Sequence, residues 1–380
     1  MATKEELKRM REGPKTPQER IWWEKYSHEK LQAWRFVCDE EADACVRAIM
    51  RGRPTNMLEE VERRAKTEGG VFKAFLDQSF TVPGWVDFDM MEQGRRVYCR
   101  FAPLQGLVLL CSSLVEGYAF HKAVQVLVQT GRLEKDVSRR IFETGQMLHN
   151  IAGPEGLKPG GIGHRTLMEV RLLHAAVREF INRSGKWDES RFEKPINQED
   201  MAGTVLEFDF MVVRGMKALG LRLSEEERIS MHYFWRYAGY LLGVKEDLLT
   251  ESYQEQEVLA LQLHSHLYSP TKEGELLAKS LLRDMANKPP FRFPLPVLHA
   301  FSRYLIGDEL ADTFDIRSNV SGRAAVQMVK TATLGMSYGH RIFPDFVLQA
   351  LEKGALAMGR TALQEGLGND PARWAFKAMA

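Results

Sequence analysis

The chain has 380 residues, 44% of them hydrophobic, so it is long enough to bury one large core or two ordinary ones. Its 52 lysines and arginines nearly balance its 51 aspartates and glutamates, which excludes a net field that would favour nucleic acid or an anionic membrane surface. The four cysteines are too few for a disulfide scaffold of this size and have no metal-ligand spacing, which indicates reduced thiols in a reducing compartment.

The chain begins with a highly charged stretch, MATKEELKRMREGPKTPQER, that lacks the apolar run of a secretory signal. No later segment approaches 18 consecutive uncharged apolar residues, the length that a membrane-spanning helix needs. We therefore expect a cytoplasmic protein with no membrane span.

A long helical segment follows the breakers Pro14 and Pro17 and runs from about Gln18 to Met50. It combines tryptophans with many charged residues, a composition typical of an arm packed on the body of a protein. A helix that binds a partner protein is the alternative. Pro54 ends this segment, and a helix from about Met57 to Gln78 leads to the turn TVPGW.

Beyond this turn the chain is more apolar, and two stretches dense in proline and glycine interrupt it, AGPEGLKPGGIG (152–163) and NKPPFRFPLP (287–296). Nearly every long segment repeats its apolar residues with helical period, and no series of alternating strands with Asn-Gly or Asp-Gly turns occurs. The sequence therefore predicts an all-α protein with a single helical domain. We place the boundaries at 1–79 for an N-terminal helical arm, 80–310 for the main domain and 311–380 for a C-terminal helical extension.

Spacing argues against several classes of site. No histidine lies three residues after a glutamate, so the Glu-x-x-His pairs of di-iron bundles are absent, and no HExxH zinc helix occurs. The absence of CxxC excludes covalent haem attachment and zinc ribbons. GGIGHR is not a dinucleotide fingerprint, and no GxxxxGK[ST] loop exists. His264 and His266 would point about 200° apart on a helix, which argues against a shared metal.

His174 lies at the centre of an apolar helical face, in the segment RLLHAAVR (171–178). The residues that share this face are Leu167, Val170, Val177 and Ile181. A buried imidazole needs a partner for each nitrogen, because an unsatisfied buried polar group costs roughly 1–3 kcal/mol. His174 is therefore either a core histidine with satisfied hydrogen bonds or an iron ligand of haem.

Two pairs of polar residues bear on this choice. Arg171 and Arg178 flank His174 on nearly the same face, where cations would suit haem propionates, although they could equally pair with buried or surface carboxylates. Arg140 and Thr144, in RIFET, present a guanidinium and a hydroxyl together on one helical face. Taken alone, each pair is compatible with an ordinary structural role.

The ordered set of these motifs resembles the catalytic domain shared by latex-clearing rubber oxygenases and the fungal oxygenase MpaB. The set consists of Arg-x-x-x-Thr (140–144), VRLLHAAVR (170–178), PINQEDMAGTVLEF (195–208) and WRYAGYLLGV (235–244). The resemblance spans about residues 80–310. It implies a helical domain with a globin-like core around a noncovalent b-type haem, which uses dioxygen to cleave carbon-carbon double bonds of isoprenoid chains.

Carried over residue by residue, the resemblance makes His174 the axial iron ligand and puts Arg140 and Thr144 on the oxygen-binding side of the haem. The implied cofactor is haem b (iron protoporphyrin IX), dioxygen is the co-substrate, and the substrate is a hydrophobic, isoprenoid-like small molecule. PINQED looks like a family signature with a structural role. The side chains that can cap the helix after it are Asn197, Gln198 and Asp200.

The sequence departs from the rubber enzymes at three points. They carry a lysine directly before the threonine, where this chain has Glu143, so a lysine-ligated resting state is not implied. They also carry a glutamate, proposed as a base, at a distance that matches Val124 here, and Glu116 replaces it only if the helices are offset. They are exported, whereas this chain shows no export signal, so a smaller isoprenoid or a prenylated metabolite fits better than rubber.

Two other functions stay open at this point. A globin-like oxygen or redox sensor would keep the haem without cleavage, and its arm and tail would engage a partner. A helical interaction protein without haem would use His174 as a core histidine bonded to a nearby acid. Turnover separates the sensor from an oxygenase, and an intense Soret band separates either of them from the interaction protein.

Overall fold

The computed structural model describes residues 4–52, 54–131, 137–340 and 342–368. Within these ranges the chain forms helices joined by loops, and no strand forms apart from an isolated bridge between Phe120 and Tyr268. The all-α prediction is therefore confirmed. Its helical C-terminal extension continues to residue 368, and the last twelve residues of the predicted extension lie outside the described ranges.

The N-terminal helices are α1 (Lys4–Glu12), α2 (Pro17–Lys25), α3 (His28–Trp34), α4 (Glu40–Ile49), α5 (Met57–Thr67) and α6 (Gly70–Phe80). The central helices are α7 (Phe88–Val108), α8 (Leu114–Gly117), α9 (His121–Gln129), α10 (Val137–Ala152), α11 (Ile162–Ser184), α12 (Glu189–Phe192), α13 (Gln198–Phe208), α14 (Phe210–Ala218), α15 (Glu225–Leu241), α16 (Tyr253–Leu267) and α17 (Lys272–Met285). The C-terminal helices are α18 (Leu295–Ile306), α19 (Asp308–Thr313), α20 (Val320–Gly339) and α21 (Asp345–Leu367).

The N-terminal helices pack on the central ones. Tyr26 and Leu31 are buried in the same hydrophobic core as the central helices. Glu255 of α16 accepts a hydrogen bond from the Tyr26 hydroxyl at 2.8 Å and another from Lys25 Nζ at 2.9 Å. These contacts join the segment to the body of the protein through both apolar and polar groups.

The prediction of one continuous helix from about Met57 to Gln78 is wrong. Two helices form instead, because α5 ends at Thr67 and α6 begins at Gly70. Gly69 and Gly70 have φ angles of +67° and +55°. Glycine adopts such angles without steric cost, whereas a right-handed helix needs negative φ. The two glycines therefore separate the helices that the apolar pattern joined.

The longest apolar stretch runs from Phe88 to Gly117, through α7, a π-helical turn and α8. By length and composition alone it could cross a membrane, with a mean hydropathy of 1.3 over its most apolar window, and 67% of that window is buried inside the protein. Helix α15 crosses α7 at Gly94, where a Cβ atom would lie 2.1 Å from the Ser230 carbonyl oxygen. The stretch is thus a core helix of this fold, and glycine permits its close packing.

Helices α10 and α11 form a hairpin whose vertex is the predicted break rich in proline and glycine. Asn150 Nδ2 donates to Thr166 Oγ1 at 2.9 Å across the vertex, and a Cβ on Gly163 would lie 2.6 Å from the Ile151 Cα. Arg140 lies twelve residues before the end of α10, and His174 twelve residues after the start of α11. At 1.5 Å per residue, both lie about 18 Å from the vertex, so the hairpin brings them to the same level.

Helix α21 packs against α7 and α10. Glu352 on α21 is buried and pairs with Arg96 and Arg100 of α7 at 3.2 and 3.3 Å. Near its end, a Cβ on Gly366 would lie 2.4 Å from the Phe142 ring of α10. The C-terminal extension is therefore fixed both to α7 and to α10, the helix that carries Arg140 and Thr144.

Candidate functional site

His174 lies on α11 and makes no hydrogen bond to the described residues through either ring nitrogen. Its Nδ1 is completely buried. Burial and the nearby Arg178 lower the pKa of His174 to about 4, so the imidazole is uncharged at neutral pH. A neutral imidazole has a free lone pair, which is the form that binds iron.

Other buried histidines differ from His174 in this respect. His164 Nε2 lies 2.9 Å from the Ser79 carbonyl oxygen, and its Nδ1 accepts from the Gly160 amide at 3.3 Å. His232 bonds Asp209 and the Thr250 carbonyl. These two are core histidines with satisfied hydrogen bonds, whereas His174 is not.

Arg171 and Arg178, which flank His174, are buried and each bonds a carboxylate of the N-terminal arm. Arg171 forms a bidentate pair with Asp39 at 2.7 and 2.9 Å, and Arg178 Nε donates to Asp43 at 2.7 Å. Burial opposes the ionisation of Asp39, but Arg171 holds its pKa below the ordinary value. The role of these arginines at haem propionates stays a prediction, and in this structure their charges are already balanced.

Arg140 and Thr144 lie on α10, as the sequence predicts. Arg140 Nη2 approaches the Tyr118 hydroxyl at 3.5 Å, and the Thr144 hydroxyl donates to the Arg140 carbonyl at 3.0 Å. Two acids lie within one helical turn of Arg140 in the sequence: Glu143 accepts a hydrogen bond from Arg139 at 2.8 Å, and Asp136 lies outside the described residues.

Thr144 lines an apolar cavity that is open to solvent on one side. Helix α10 contributes Leu148 and His149 to its wall, and α21 contributes Leu356 and Met358. The cavity lies where α7, α10 and the C-terminal helix meet. It can hold a hydrocarbon chain beside the Thr144 side chain.

The catalytic-domain model of the family described as ER-bound oxygenase mpaB/B'/Rubber oxygenase matches residues 100–334. The chain belongs to this family. A rubber oxygenase from Streptomyces sp. (strain K30) is 25% identical over 292 residues, which cover 73% of this chain and 70% of that protein. The structure of a latex clearing protein in the closed state aligns with a TM-score of 0.69 and 22% identity, over 86% of this chain and 91% of that one.

The predicted family and the predicted helical fold are thus confirmed, and the chain is a member of an oxygenase family. The matched region begins within α7 and ends within α20, so α1–α6 and α21 lie outside it. The domain boundaries drawn from the sequence stay predictions.

Glu116, which the sequence offers in place of the glutamate proposed as a base in the rubber enzymes, lies at a second cavity. Its carboxylate accepts hydrogen bonds from Arg214 and, at 2.8 Å, from Ser112. Burial favours the neutral acid, but Arg214 and these hydrogen bonds lower the pKa of Glu116 to about 2. A carboxylate held so firmly in its ionised form is a weak base, and its catalytic role stays a prediction.

Glu207 lines the same cavity and is a residue that the sequence did not single out. It makes no hydrogen bond to the described residues, and burial together with the charge of Glu116 raises its pKa to about 8. A Cβ on Gly117 would lie 2.2 Å from Glu207 Oε1, so the carboxyl packs against bare backbone. The sequence pattern that could have indicated Glu207 is a single charged residue within the apolar segment MAGTVLEF (201–208).

The PINQED segment holds the arm to the body, which agrees with the structural role predicted for it. Asn197 caps α13 by accepting from the Asp200 amide at 3.0 Å, and Gln198 Nε2 donates to the Gly243 carbonyl at 3.0 Å. The arm's Arg35, fully buried, donates to Glu199 and Asp200 at 3.1 and 2.9 Å.

The two histidines of the segment HSH (264–266) have different contacts in the structure. His266 Nδ1 lies 2.7 Å from Glu199, and His264 stacks on Tyr268 with ring centroids 4.3 Å apart. Across the described ranges, no group of three or more His, Cys, Asp or Glu side chains could hold a metal ion.

Proposed function

We propose that this protein is a cytoplasmic, haem b-dependent oxygenase that uses dioxygen to cleave a carbon-carbon double bond of an isoprenoid or a prenylated small molecule. The observation that carries the proposal is His174, an uncharged imidazole without a hydrogen bond, inside the catalytic domain of an oxygenase family. Haem, when bound, supplies the activation of dioxygen, and the protein supplies binding, orientation and electrostatics.

The chemistry of His174 fits that of a residue that would hold the haem iron. Its ring is neutral, and neither nitrogen bonds to another described group. A bond from iron to one nitrogen would give the ring a partner in an environment where an unsatisfied polar group costs roughly 1–3 kcal/mol. The position of His174 level with Arg140, on the facing limb of the hairpin, supports a site between the two limbs.

Arg140 is the cation on the α10 limb of this site. An arginine guanidinium can donate several hydrogen bonds from one plane. In the proposed site Arg140 would donate a hydrogen bond to the oxygen co-substrate, the kind of interaction that stabilises developing negative charge more than the ground state. The hydroxyl of Tyr118, 3.5 Å from Nη2, limits where the guanidinium can lie.

The apolar cavity beside Thr144 would hold the hydrocarbon substrate. Apolar walls exclude water and align a chain without giving it a polar partner. The substrate panel decides between a small isoprenoid and a polymer of the kind named for the rubber oxygenase relative.

The test uses the purified full chain loaded with haem, a panel of farnesol, geranylgeraniol, squalene and synthetic cis-polyisoprene, and ¹⁸O₂. The expected result is a Soret band and, from at least one of the small isoprenoids, two carbonyl products that each carry one labelled oxygen. A Soret band with no product from any substrate would favour the sensor, and the absence of haem binding would favour the interaction protein. Cleavage of the polymer alone would refute the small-molecule substrate.

A further inference from the structure

The cavity at Glu207 has a polar group that the proposed oxygenase reaction does not use. Glu207 lies on α13 and faces space bounded by α8, α14 and α16. The Glu207 side chain is partly buried at the cavity wall and receives no hydrogen bond from the described residues. A ligand that enters the cavity displaces water from this carboxyl group, so it binds favourably only if it supplies a hydrogen bond in place of that water.

The charges around Glu207 determine which ligand fits. Glu116 forms an ion pair with Arg214, and the Glu116 carboxylate opposes the ionisation of Glu207. Among the described residues, the other titratable or charged groups that line the cavity or approach it are Tyr118, Arg140, Glu199, Asp200, His264 and Tyr268. Glu199 and Asp200 bond Arg35. Glu207 is therefore left as an uncharged acid at neutral pH, with an O–H group to donate.

The rest of the wall is mostly apolar, including Ala123, Leu206, Phe210 and Leu261. A charged ligand would lose its hydration there and gain little, whereas an uncharged one would bury hydrocarbon. The complementary molecule is thus apolar and carries one oxygen that accepts a hydrogen bond.

We propose that this cavity binds an uncharged long-chain carbonyl compound, a ketone or an aldehyde, whose oxygen accepts a hydrogen bond from Glu207. Gly117 is part of the site, because a side chain there would meet the Glu207 carboxyl at 2.2 Å and displace it. Binding of the carbonyl compound needs neither haem nor turnover. The proposal therefore stands or falls independently of the oxygenase reaction.

The probe is 2-undecanone labelled with ¹³C at the carbonyl, titrated into the full chain and followed by infrared and ¹³C NMR spectroscopy. The expected result is a saturable shift of the carbonyl signal at pH 6.5, and a Kd about tenfold weaker at pH 9 than at pH 6.5. The protonated fraction of a group with a pKa near 8 falls by about that factor. n-Decylamine is the second probe, since an ammonium ion would need the ionised form of Glu207.

Three variants make the assignment specific. Glu207→Gln keeps a donor of the same shape, so ketone binding persists and its pH dependence disappears. Glu207→Leu removes the donor and Gly117→Ala displaces the carboxyl, and each should weaken the Kd at pH 6.5 by about tenfold or more, the scale of one lost hydrogen bond. Glu143→Gln, on a surface ion pair away from the cavity, is the matched control and should leave the Kd unchanged.

The infrared spectrum tests the premise even without a probe. The band of a protonated carboxyl group should be present at pH 6.5 and absent from Glu207→Gln. The proposal is overturned if that band is missing, if the amine binds and tightens as the pH rises while the ketone does not bind, or if Glu207→Leu binds the ketone as the parent does.

Discussion

Two carboxyl groups at the end of α13, only two residues apart, have opposite environments. Asp209 is completely buried and accepts hydrogen bonds from Arg228 at 2.7 Å, Gln256 at 2.8 Å and His232 at 3.0 Å. Burial opposes its charge, but Arg228 and His232 lower the pKa of Asp209 to about 2. Glu207 has no such partner, and its pKa is raised to about 8.

Histidines show the same contrast, since His232 has a partner on each nitrogen and His174 has none. The fold can thus satisfy buried polar groups, and it does so where α13, α15 and α16 pack together. His174 lies on the hairpin limb of the proposed haem site, and Glu207 lies at a cavity. At these two positions we expect a ligand to supply the hydrogen bond or the metal bond that the protein does not.

The largest expected effect is on stability. Asp209→Asn removes the charge that balances Arg228 and should lower the free energy of unfolding by about 3–5 kcal/mol, the usual cost of breaking a buried ion pair. Glu207→Gln, the matched change two residues away, should change it by less than about 1 kcal/mol at pH 7. Denaturation by urea measures both, and equal losses in the two variants would remove the distinction between the two environments.

Next in size is Arg140→Ala, which tests the oxygen side of the proposed site. Haem content should be unchanged, while turnover should fall by about 10²-fold or more, the scale seen when one preorganised donor to a developing charge is lost. Arg139→Ala is the control, because that neighbour pairs with Glu143 on a partly exposed surface. Normal turnover in Arg140→Ala with full haem would exclude Arg140 from the chemistry.

Two glycines of α21 differ in how tightly they are packed, and substituting each by alanine compares a packed position with an open one. A Cβ on Gly366 would collide with the Phe142 ring at 2.4 Å, and the overpacking should destabilise Gly366→Ala by about 1–3 kcal/mol. A Cβ on Gly359, at the apolar cavity, would lie at an ordinary 3.5 Å from His149 Nδ1. Gly359→Ala should therefore be neutral or stabilising, by up to about 1 kcal/mol, because alanine favours a helix. Thermal unfolding distinguishes these outcomes, and a destabilised Gly359→Ala would show that the cavity wall is tightly packed.

The smallest effect is expected from Thr144→Ala. A neutral hydroxyl forms a weaker hydrogen bond than a charged guanidinium, and this one already donates to the Arg140 carbonyl. Turnover should fall by about tenfold or less, corresponding to roughly 0.5–1.5 kcal/mol. Steady-state kinetics of Thr144→Ala beside Arg140→Ala measures the ranking, and a larger loss from Thr144→Ala would reverse the assigned roles.

The sequence predicted what depends on local pattern. Apolar periodicity gave the helical class, and the ordered motifs gave the family. Proline and glycine located the vertex between α10 and α11, but the break between α5 and α6 was missed because a single Glu-Gly-Gly step interrupts a continuous apolar pattern.

Contacts between distant segments could not be predicted in the same way. The spacing of residues in the sequence did not determine which groups bond Arg171 and Arg178. In the structure their partners are Asp39 and Asp43 of the N-terminal arm, more than 130 residues earlier in the chain. Glu207 was missed because its unusual pKa depends on Glu116, which only the fold brings near it.

The most direct test of the central claim is a haem titration of the parent, His174→Ala and His121→Ala, followed by the Soret band, with far-ultraviolet circular dichroism as a check on folding. His121 is the informative comparison because its Nδ1 is also buried without a partner. The account predicts stoichiometric haem with the parent and His121→Ala, and no stoichiometric haem with a His174→Ala protein that stays helical. A His174→Ala protein that binds one equivalent of haem with an unchanged Soret band would contradict it.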